Sequence, residues 1–276
     1  MGALEIVGIV LLSLLLLLSL IYLLILVRPR AGAPGKAELL CDYAHRGLYG
    51  NGIPENSLAA FARACERGVG IELDVQLARD GVVMVFHDDT LQRMTGCEGR
   101  LCEYDAATLQ GLSLAGTEQG IPTFAQVLTL VDGRVPLLIE LKGESFDTSL
   151  CPVLASLLRE YEGAYCIESF NPLLLRRMRQ CLPGAFYGLL YTNVCRDKKK
   201  RSMLNMLLTC MALNVVARPD FIAYNQVDRG ALPVRLATGL YGAARFVWTV
   251  KPDDAIYTSH CADEHLIFET EPRQKG

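Results

Sequence analysis

The chain begins with an apolar stretch that carries no charged residue between Ile6 and Val27. As a helix rising about 1.5 Å per residue, this stretch is roughly 33 Å long, enough to cross a bilayer core of about 30 Å. Its leucines are interrupted by few polar groups, those of Ser13, Ser19 and Tyr22. A helix buried in a soluble core would need a polar face, and a cleaved signal peptide would begin with basic residues. We therefore predict a single retained transmembrane helix.

Beyond residue 30, short apolar runs alternate with segments of helical periodicity, a pattern typical of parallel strands joined by helices. We predict strands at residues 42–45, 71–75, 82–86, 136–141, 165–169, 186–191, 221–224 and 245–250. Helices are predicted at residues 58–65, 124–131, 151–161, 172–181, 203–216 and 230–241. Eight strands favour a closed TIM-type (β/α)8 barrel over an open sheet.

The segment from Met203 to Val216 is apolar enough to be considered a second membrane segment. It has too few residues to span a bilayer, which needs about 20 in helical form. We therefore predict a single buried crossover helix of the barrel.

These patterns predict an anchor in residues 1–30, with the span at about 6–27, a linker in residues 31–40 and one domain in residues 41–276. The linker is rich in proline and glycine, as flexible spacers often are. The barrel domain has the length expected for this fold.

Charge and cysteine content narrow the possible locations and partners. The formal net charge of −3 gives no indication of nucleic-acid binding. Arg28, Arg30 and Lys36 follow the apolar run and no basic residue precedes it, so the positive-inside rule places the domain in the cytoplasm. The ten cysteines include no Cys-x-x-Cys pair, and a domain of this size does not depend on disulfides. An exported, disulfide-bonded form remains the alternative.

Acidic residues lie toward the ends of two of the predicted strands. Glu72 and Asp74 are two positions apart, so their side chains point to the same side of a strand, and Glu140 ends a later strand. The carboxyl ends of barrel strands meet at one face, where these acids would repel each other without a cation between them. Three carboxylates favour Mg²⁺ or Ca²⁺, with Mn²⁺ also possible. The alternative is that the acids only form salt bridges with Arg46 and Lys142.

Two of the four histidines, His45 and His87, also lie at predicted strand ends. Imidazole transfers protons near neutral pH, so these residues are candidate catalytic acid and base. Arg46 and Lys142 are suited to holding phosphate oxygens. A cation and two such side chains around one phosphate would stabilise negative charge in a transition state.

In this order, the motifs resemble those of the glycerophosphodiester phosphodiesterases, a family of phospholipase C-like TIM barrels. The similar segments are His45-Arg46-Gly47, Pro54-Glu55-Asn56-Ser57, Glu72-x-Asp74-Val75, Asp80-Gly81, His87-Asp88, Arg93-x-Thr95, Ile121-Pro122-Thr123-Phe124, Glu140-Leu141-Lys142, Ser169-Phe170 and Trp248-Thr249-Val250. They extend from about residue 41 to residue 251.

The resemblance implies a metal-dependent hydrolase that converts glycerophosphodiesters to glycerol 3-phosphate and an alcohol. It implies that the 2-hydroxyl of the substrate attacks phosphorus and that water then opens the cyclic product. The implied metal ligands are Glu72, Asp74 and Glu140, the acid and base are His45 and His87, and Arg46 and Lys142 hold the phosphate. Glu55 is implied near the metal site, and Phe170 and Trp248 would line the pocket beside the glycerol.

The chain departs from the family pattern near its end. Lys251 stands where the family usually has Asn, and residues 257–269 replace a Thr-Asp-x-Pro segment. These differences affect the far side of the predicted pocket. Three alternatives stay open. The first is a lysophospholipase D, because the anchor could hold the site near lysophospholipids. The second is an inactive barrel that serves as a binding module. The third and more distant one is a phosphatidylinositol-specific phospholipase C, whose usual forms lack the Glu-x-Asp and Glu-x-Lys arrangement.

Overall fold

The computed structural model describes residues 2–30, 37–143 and 146–269. Within this part of the chain, nine strands form one sheet. They are β1 (Tyr43–Ala44), β2 (Gly70–Leu77), β3 (Val83–Val85), β4 (Leu137–Leu141), β5 (Tyr165–Ser169), β6 (Phe186–Tyr191), β7 (Phe221–Asn225), β8 (Ala244–Val250) and β9 (Glu264–Phe268). Strand β1 pairs in parallel with both β2 and β9, which closes the sheet. The predicted (β/α)8 barrel is confirmed.

One predicted barrel strand is wrong and another was missed. Strand β3 pairs antiparallel with β2 and lies outside the ring of parallel strands. The intervening Asp80-Gly81 turn is too short for a crossover, which needs a dozen residues or more. The ring is completed instead by β9, which lies within the segment that departs from the family pattern. It was missed because its apolar run is only three residues long, from Leu266 to Phe268.

The helices around the barrel begin at side chains that cap their free N–H groups. The α-helices are α1 (Ala3–Ile21), α2 (Leu58–Glu66), α3 (Gln92–Thr95), α4 (Ala106–Gln110), α5 (Phe124–Val131), α6 (Leu150–Arg159), α7 (Pro172–Cys181), α8 (Val194–Asp197), α9 (Met203–Thr209), α10 (Asn214–Ala217), α11 (Leu232–Arg235) and α12 (Ala255–Ser259). Ser57 accepts from Ala60 N–H at the start of α2, and Asn171 accepts from Leu173 N–H at the start of α7. The predicted caps at Ser57 and Asn171 are confirmed.

Large apolar side chains fill the amino-terminal half of the barrel interior. Phe221 lies at the centre, with ring centroids 5.0 Å from Phe186 and 4.6 Å from Phe246. Gly188 makes room for it, because a Cβ atom there would lie 1.9 Å from the Phe221 ring. This half of the barrel is therefore solid, and polar groups can collect only at the opposite, carboxyl-terminal end of the strands.

The predicted helix at 203–216 is wrong as a single buried element. It forms two short helices, α9 and α10, and the side chains of Met203, Leu204 and Met206 at its start are exposed. Helix α1 continues as a π-helical turn, Tyr22–Leu26, and the combined helix is long and apolar enough to span a membrane.

The end of this N-terminal helix is joined to the barrel. Val27 is fully buried, and its carbonyl accepts a hydrogen bond of 2.8 Å from Asn214 Nδ2 at the start of α10. Most of the predicted linker, residues 31–36, lies outside the described residues, as do residues 270–276 at the end of the predicted domain.

Candidate active site

Three acids meet at the carboxyl ends of β2 and β4. The two strands are paired in register, with Asp74 opposite Glu140, so side chains at these positions point to the same side. One carboxylate oxygen from each of Glu72, Asp74 and Glu140 lies within 4.8 Å of the other two, and all three residues are buried. The structure therefore brings together the three predicted metal-binding residues.

Two cations balance part of this charge. Lys142 Nζ lies 2.8 Å from Glu140 Oε1 and 3.1 Å from Asp74 Oδ1. Arg46 Nε lies 3.5 Å from Asp74 Oδ2, and its backbone N–H donates to Glu72 Oε2 at 2.7 Å. The salt bridges considered as an alternative from the sequence are present, and they involve the same acids as the candidate metal site.

The raised pKa values of two of the acids indicate that Arg46 and Lys142 do not fully balance the negative charge of the three carboxylates. Burial raises the pKa of Glu140 to about 7, and burial together with the charges of Asp74 and Glu140 raises the pKa of Glu72 well above its usual value. Burial alone would also raise the pKa of Asp74, but Lys142 and Arg46 hold it well below its usual value. A divalent cation would supply the missing positive charge, and the three carboxylates are the hard oxygen ligands that such a cation prefers.

A sharp turn after β1 directs the Arg46 backbone toward the acids. Arg46 has a φ of 57° and Gly47 a φ of 81°, and a Cβ atom on Gly47 would lie 2.9 Å from the Cβ atom of Ala60. Only glycine fits here without displacing α2. The turn places the Arg46 N–H against Glu72, which explains why Arg and Gly follow His45 directly.

His45, just after β1, is held by a residue from the other end of the chain. Its Nδ1 lies 3.1 Å from Glu269 Oε1, and Lys251 Nζ lies 2.8 Å from the other oxygen of Glu269. Burial would raise the pKa of Glu269, but hydrogen bonds with His45 and Lys251 lower it to about 2. An ionised carboxylate can only accept, so Nδ1 carries the hydrogen and Nε2 keeps a lone pair.

His87 is oriented in the same way by its neighbour. Its Nδ1 lies 2.6 Å from Asp88 Oδ1, and Arg93 binds the second oxygen of Asp88. Gln76 Nε2 donates to the carbonyls of Phe86 and Asp88 at 2.9 Å and to that of His87 at 3.2 Å, which secures the loop to β2. Burial lowers the pKa of both His45 and His87, so both rings are neutral near pH 7.

Glu55 binds arginines and lies outside the three-acid group. Its Oε1 accepts from Arg46 at 2.7 Å and from Arg93 at 2.6 Å. The neighbouring Asn56 donates from Nδ2 to Asp74 Oδ2 at 2.8 Å. The Pro-Glu-Asn-Ser segment therefore supports both Arg46, the predicted phosphate-binding arginine, and Asp74, a candidate metal ligand.

Phe170 and Trp248 lie together at the barrel mouth. Their rings meet edge to face, with centroids 5.5 Å apart. Phe170 is 40% exposed, and Trp248 Nε1 donates to the Ala223 carbonyl at 2.8 Å. Two adjoining aromatic rings at the ends of β5 and β8 form an apolar wall beside the charged groups.

Sequence reasoning missed two acids at this end of the barrel, Glu168 and Glu269. Glu168 is buried and paired in register with Glu140, and its Oε2 has no hydrogen-bond partner among the described residues. Burial, followed by the charges of Glu72 and Glu140, raises its pKa well above the usual value. The signal for Glu168 was an acid at a strand end, as at Glu140; Glu269 was missed together with β9.

A sequence profile of the glycerophosphoryl diester phosphodiesterase family matches residues 45–268. The match covers most of the chain and every strand from β2 to β9. The chain belongs to this family. The resemblance predicted from the motifs is confirmed, and the acids, histidines and basic residues described above lie within the matched range, apart from Glu269.

Two relatives of this phosphodiesterase family member illustrate the range of similarity. The glycerophosphodiester phosphodiesterase of Caldanaerobacter subterraneus subsp. tengcongensis is 39% identical over 161 residues, which cover 54% of this chain and 65% of the relative. Glycerophosphodiester phosphodiesterase 1 of Bos taurus is 29% identical over 262 residues, which cover 81% of this chain and 76% of the relative. The chain thus spans less than two thirds of the bacterial relative's length.

Solved structures of the family share the barrel. An Oleispira antarctica phosphodiesterase in complex with the product sn-glycerol-3-phosphate has a TM-score of 0.66 at 22% identity, covering 83% of this chain and 93% of its own. The Thermotoga maritima glycerophosphodiester phosphodiesterase has a TM-score of 0.61 at 24% identity, covering 84% of this chain and 95% of its own. At these identities the comparison shows a common fold.

Proposed function

We propose that the protein hydrolyses glycerophosphodiesters to glycerol 3-phosphate and an alcohol. The observation that carries this proposal is the combination of three buried acids with two histidines that each hold a carboxylate at Nδ1. Membership of the family supports the same activity. An inactive binding module would have no need for buried, mutually repelling acids beside two oriented imidazoles.

We propose that Glu72, Asp74 and Glu140 bind one divalent cation, Mg²⁺ or Ca²⁺, with Mn²⁺ as a further candidate. Such a cation polarises a phosphoryl oxygen when it is bound. Arg46 and Lys142 lie beside the same acids, where an ammonium and a guanidinium can hold the other phosphate oxygens and stabilise charge in the transition state.

The two histidines divide the proton transfers between them. One imidazole takes the proton of the substrate's 2-hydroxyl through Nε2 as that oxygen bonds to phosphorus. The other imidazole, which acts as the imidazolium after taking up a proton at Nε2, gives that proton to the departing alcohol oxygen as its bond to phosphorus breaks. Water then opens the cyclic phosphate with the roles reversed. Phe170 and Trp248 form the wall against which the glycerol carbons pack.

The test is a hydrolysis assay of the full chain on glycerophosphocholine, with Mg²⁺, Ca²⁺ or Mn²⁺ and with a chelator. Activity is expected to depend on a divalent cation. Separate variants His45→Ala and His87→Ala should each lose about 10²-fold to 10⁴-fold in rate while keeping the wild-type melting temperature. His260→Ala, at a partly exposed position in the C-terminal part of the barrel, serves as the control. Wild-type rates in either catalytic variant would refute the assignment.

We further propose that the N-terminal helix is a retained membrane anchor. The contacts at its end support this, because Val27 is fully buried and Tyr22 OH donates to the Cys210 carbonyl at 3.0 Å. Cleavage of a signal peptide after Val27 would remove these contacts from the domain. The mature protein should retain its N-terminal residues by mass spectrometry and stay in the membrane pellet after carbonate extraction.

A further inference from the structure

The path of the N-terminal helix along the barrel shows which face of the barrel meets the membrane. Three contacts follow one another along the helix and the segment after it. Tyr22 OH donates to Cys210 O at 3.0 Å, Val27 O accepts from Asn214 at 2.8 Å, and Arg30 N–H donates to Pro219 O at 2.9 Å. The chain therefore runs alongside the segment from residue 210 to residue 219 in the same direction.

The two ends of that segment lie at opposite faces of the barrel. Cys210 follows Thr209, whose side chain accepts from Cys195 N–H just beyond the carboxyl end of β6. Pro219 precedes Asp220, whose backbone N–H donates to the Tyr187 carbonyl near the start of β6. The helix thus enters at the carboxyl-terminal face, where the acids and histidines lie, and passes down to the amino-terminal face.

Everything before Tyr22 must then project beyond the catalytic face. The candidate membrane span is the segment Ala3–Leu26, and its apolar stretch contains no buried residue. At about 1.5 Å per residue, the portion up to Tyr22 is about 30 Å long, the thickness of a bilayer core. The bilayer boundary therefore falls close to the level of Cys210 and the barrel mouth.

The exposed apolar side chains give a second, independent indication. Outside the N-terminal helix, large exposed apolar residues occur mainly in segments that follow the carboxyl ends of strands, and they include Phe146, Met203, Leu204, Met206 and Val227. Phe146 is 89% exposed and Met203 is 73% exposed. In the described segments just before strands, the exposed large apolar residues are Leu240, at 61%, and Val215, at 38%. Apolar groups on the membrane-facing side could enter the lipid surface.

A basic run precedes the exposed start of α9. Lys199, Lys200 and Arg201 are exposed and form no ion pair with any described residue. Basic side chains next to exposed apolar ones are suited to an anionic bilayer surface, which attracts each of them electrostatically. We call the stretch from Lys199 to Met206 the contact segment.

We propose that the carboxyl-terminal face of the barrel lies against an anionic bilayer surface through the contact segment, so that the active site takes a membrane-resident glycerophosphodiester bearing an acyl chain. The proposal rests on the hydrolase function and on the membrane anchor proposed above. It predicts that the mouth, and not the opposite face, is within reach of lipid acyl chains.

The decisive experiment introduces tryptophan at chosen positions of the full chain in phosphatidylcholine–phosphatidylserine vesicles with brominated acyl chains. Met203→Trp and Leu204→Trp should lose fluorescence relative to the same variants in unbrominated vesicles. The matched control is Glu162→Trp, which is exposed in the loop before β5 at the opposite face. Its fluorescence should be the same in brominated and unbrominated vesicles. The wild-type chain, with Trp248 alone, supplies the background. Absence of quenching at 203 and 204, or equal quenching at 162, overturns the proposal.

A second experiment tests the consequence for substrate. Joint reversal of charge at Lys199, Lys200 and Arg201 to Glu should raise the KM for lysophosphatidylcholine in anionic vesicles roughly tenfold or more. The KM for soluble glycerophosphocholine should not change. An equal effect on both substrates would overturn the proposed surface. If the wild-type chain hydrolyses neither, the hydrolase function fails, while the quenching result still decides which face meets the lipid.

Discussion

At the scale of single residues, the active-site region repeats one arrangement. His45 and His87 come from different loops, yet each has a carboxylate on Nδ1, from Glu269 and Asp88 respectively. The carboxylate keeps the ring in the tautomer whose Nε2 bears the lone pair and limits its rotation. Both imidazoles also lie close enough to Asp74 for its charge to raise their pKa against the effect of burial.

The Glu269 carboxylate should tune His45. Burial lowers the pKa of His45 and the hydrogen bond with Glu269 raises it, so Glu269→Gln should lower that pKa further. The limb of the pH–rate profile that belongs to His45 should therefore move to lower pH, whether the ring acts as acid or base. Glu269→Ala, which also frees the ring, should lose about 10²-fold in kcat.

The control for this prediction is Lys251→Met, which removes the ammonium but leaves the Glu269 carboxylate on His45. It should not move the same limb to lower pH. An unchanged profile in Glu269→Gln would show that the carboxylate has no influence on the reacting imidazole.

Cation binding should compete with protons at the acid cluster. Burial raises the pKa of Glu140 to about 7 and raises that of Glu72 well above its usual value, so without a cation both acids favour the protonated form more than ordinary carboxyls do. A cation must displace these protons, so affinity should rise as pH increases through 7 and protons should be released. Calorimetric titration of Ca²⁺ in buffers of different ionisation enthalpy measures the affinity and the number of protons released. Glu140→Gln should bind more weakly and release fewer protons; a pH-independent affinity in the wild-type chain would contradict the prediction.

At the scale of elements, the barrel is divided between an apolar half and a polar half. Phe186, Phe221 and Phe246 fill the amino-terminal half, and the acids at the ends of β2 and β4 lie above them. The division follows from the alternation of inward positions along each strand, as where Leu138 is followed two residues later by Glu140. A solid lower half gives the acids a dry floor, which raises their pKa.

Close packing around Phe221 makes Gly188 a sensitive position. Gly188→Ala should destabilise the fold by about 1–3 kcal/mol, because its Cβ atom would lie 1.9 Å from the ring. Gly184→Ala is the control, since no atom lies within 4 Å of a Cβ atom there. Urea unfolding of both variants gives the comparison. Equal stability of the two would mean that the barrel interior has room to spare.

At the scale of the whole molecule, the N-terminal helix and the barrel form a continuous structure. The helix end packs against the segment before β7 through Tyr22, Val27 and Arg30. If this helix is the membrane anchor proposed above, it holds the carboxyl-terminal face of the barrel in a set direction relative to the membrane. A flexible tether would have left that direction open.

The domain should lie on the cytoplasmic side. Basic residues follow the span, as the positive-inside rule expects of a cytoplasmic domain. Cys102 and Cys261 are exposed and lie away from the anchor in sequence. In cells that express the full chain, a membrane-impermeant maleimide should label them only after permeabilisation. Labelling in intact cells would place the domain outside.

The sequence alone predicted the (β/α)8 barrel, the apolar N-terminal helix and the family. These depend on local patterns: apolar periodicity, caps such as Ser57, and acids at strand ends such as Glu72 and Glu140. It also named the residues that the structure gathers around Asp74. Their catalytic and metal-binding roles stay predictions.

The tertiary structure alone decided which distant residues meet. Glu269 reaches His45 across 224 positions of sequence because β9 closes the barrel beside β1, and no local pattern contains that pairing. Only the tertiary structure also decided the direction of the N-terminal helix relative to the barrel, because that direction depends on contacts between residues 22–30 and residues 210–219. Local patterns specify strands, helices and their chemistry, whereas the closure of the sheet brings together partners that are far apart in the chain.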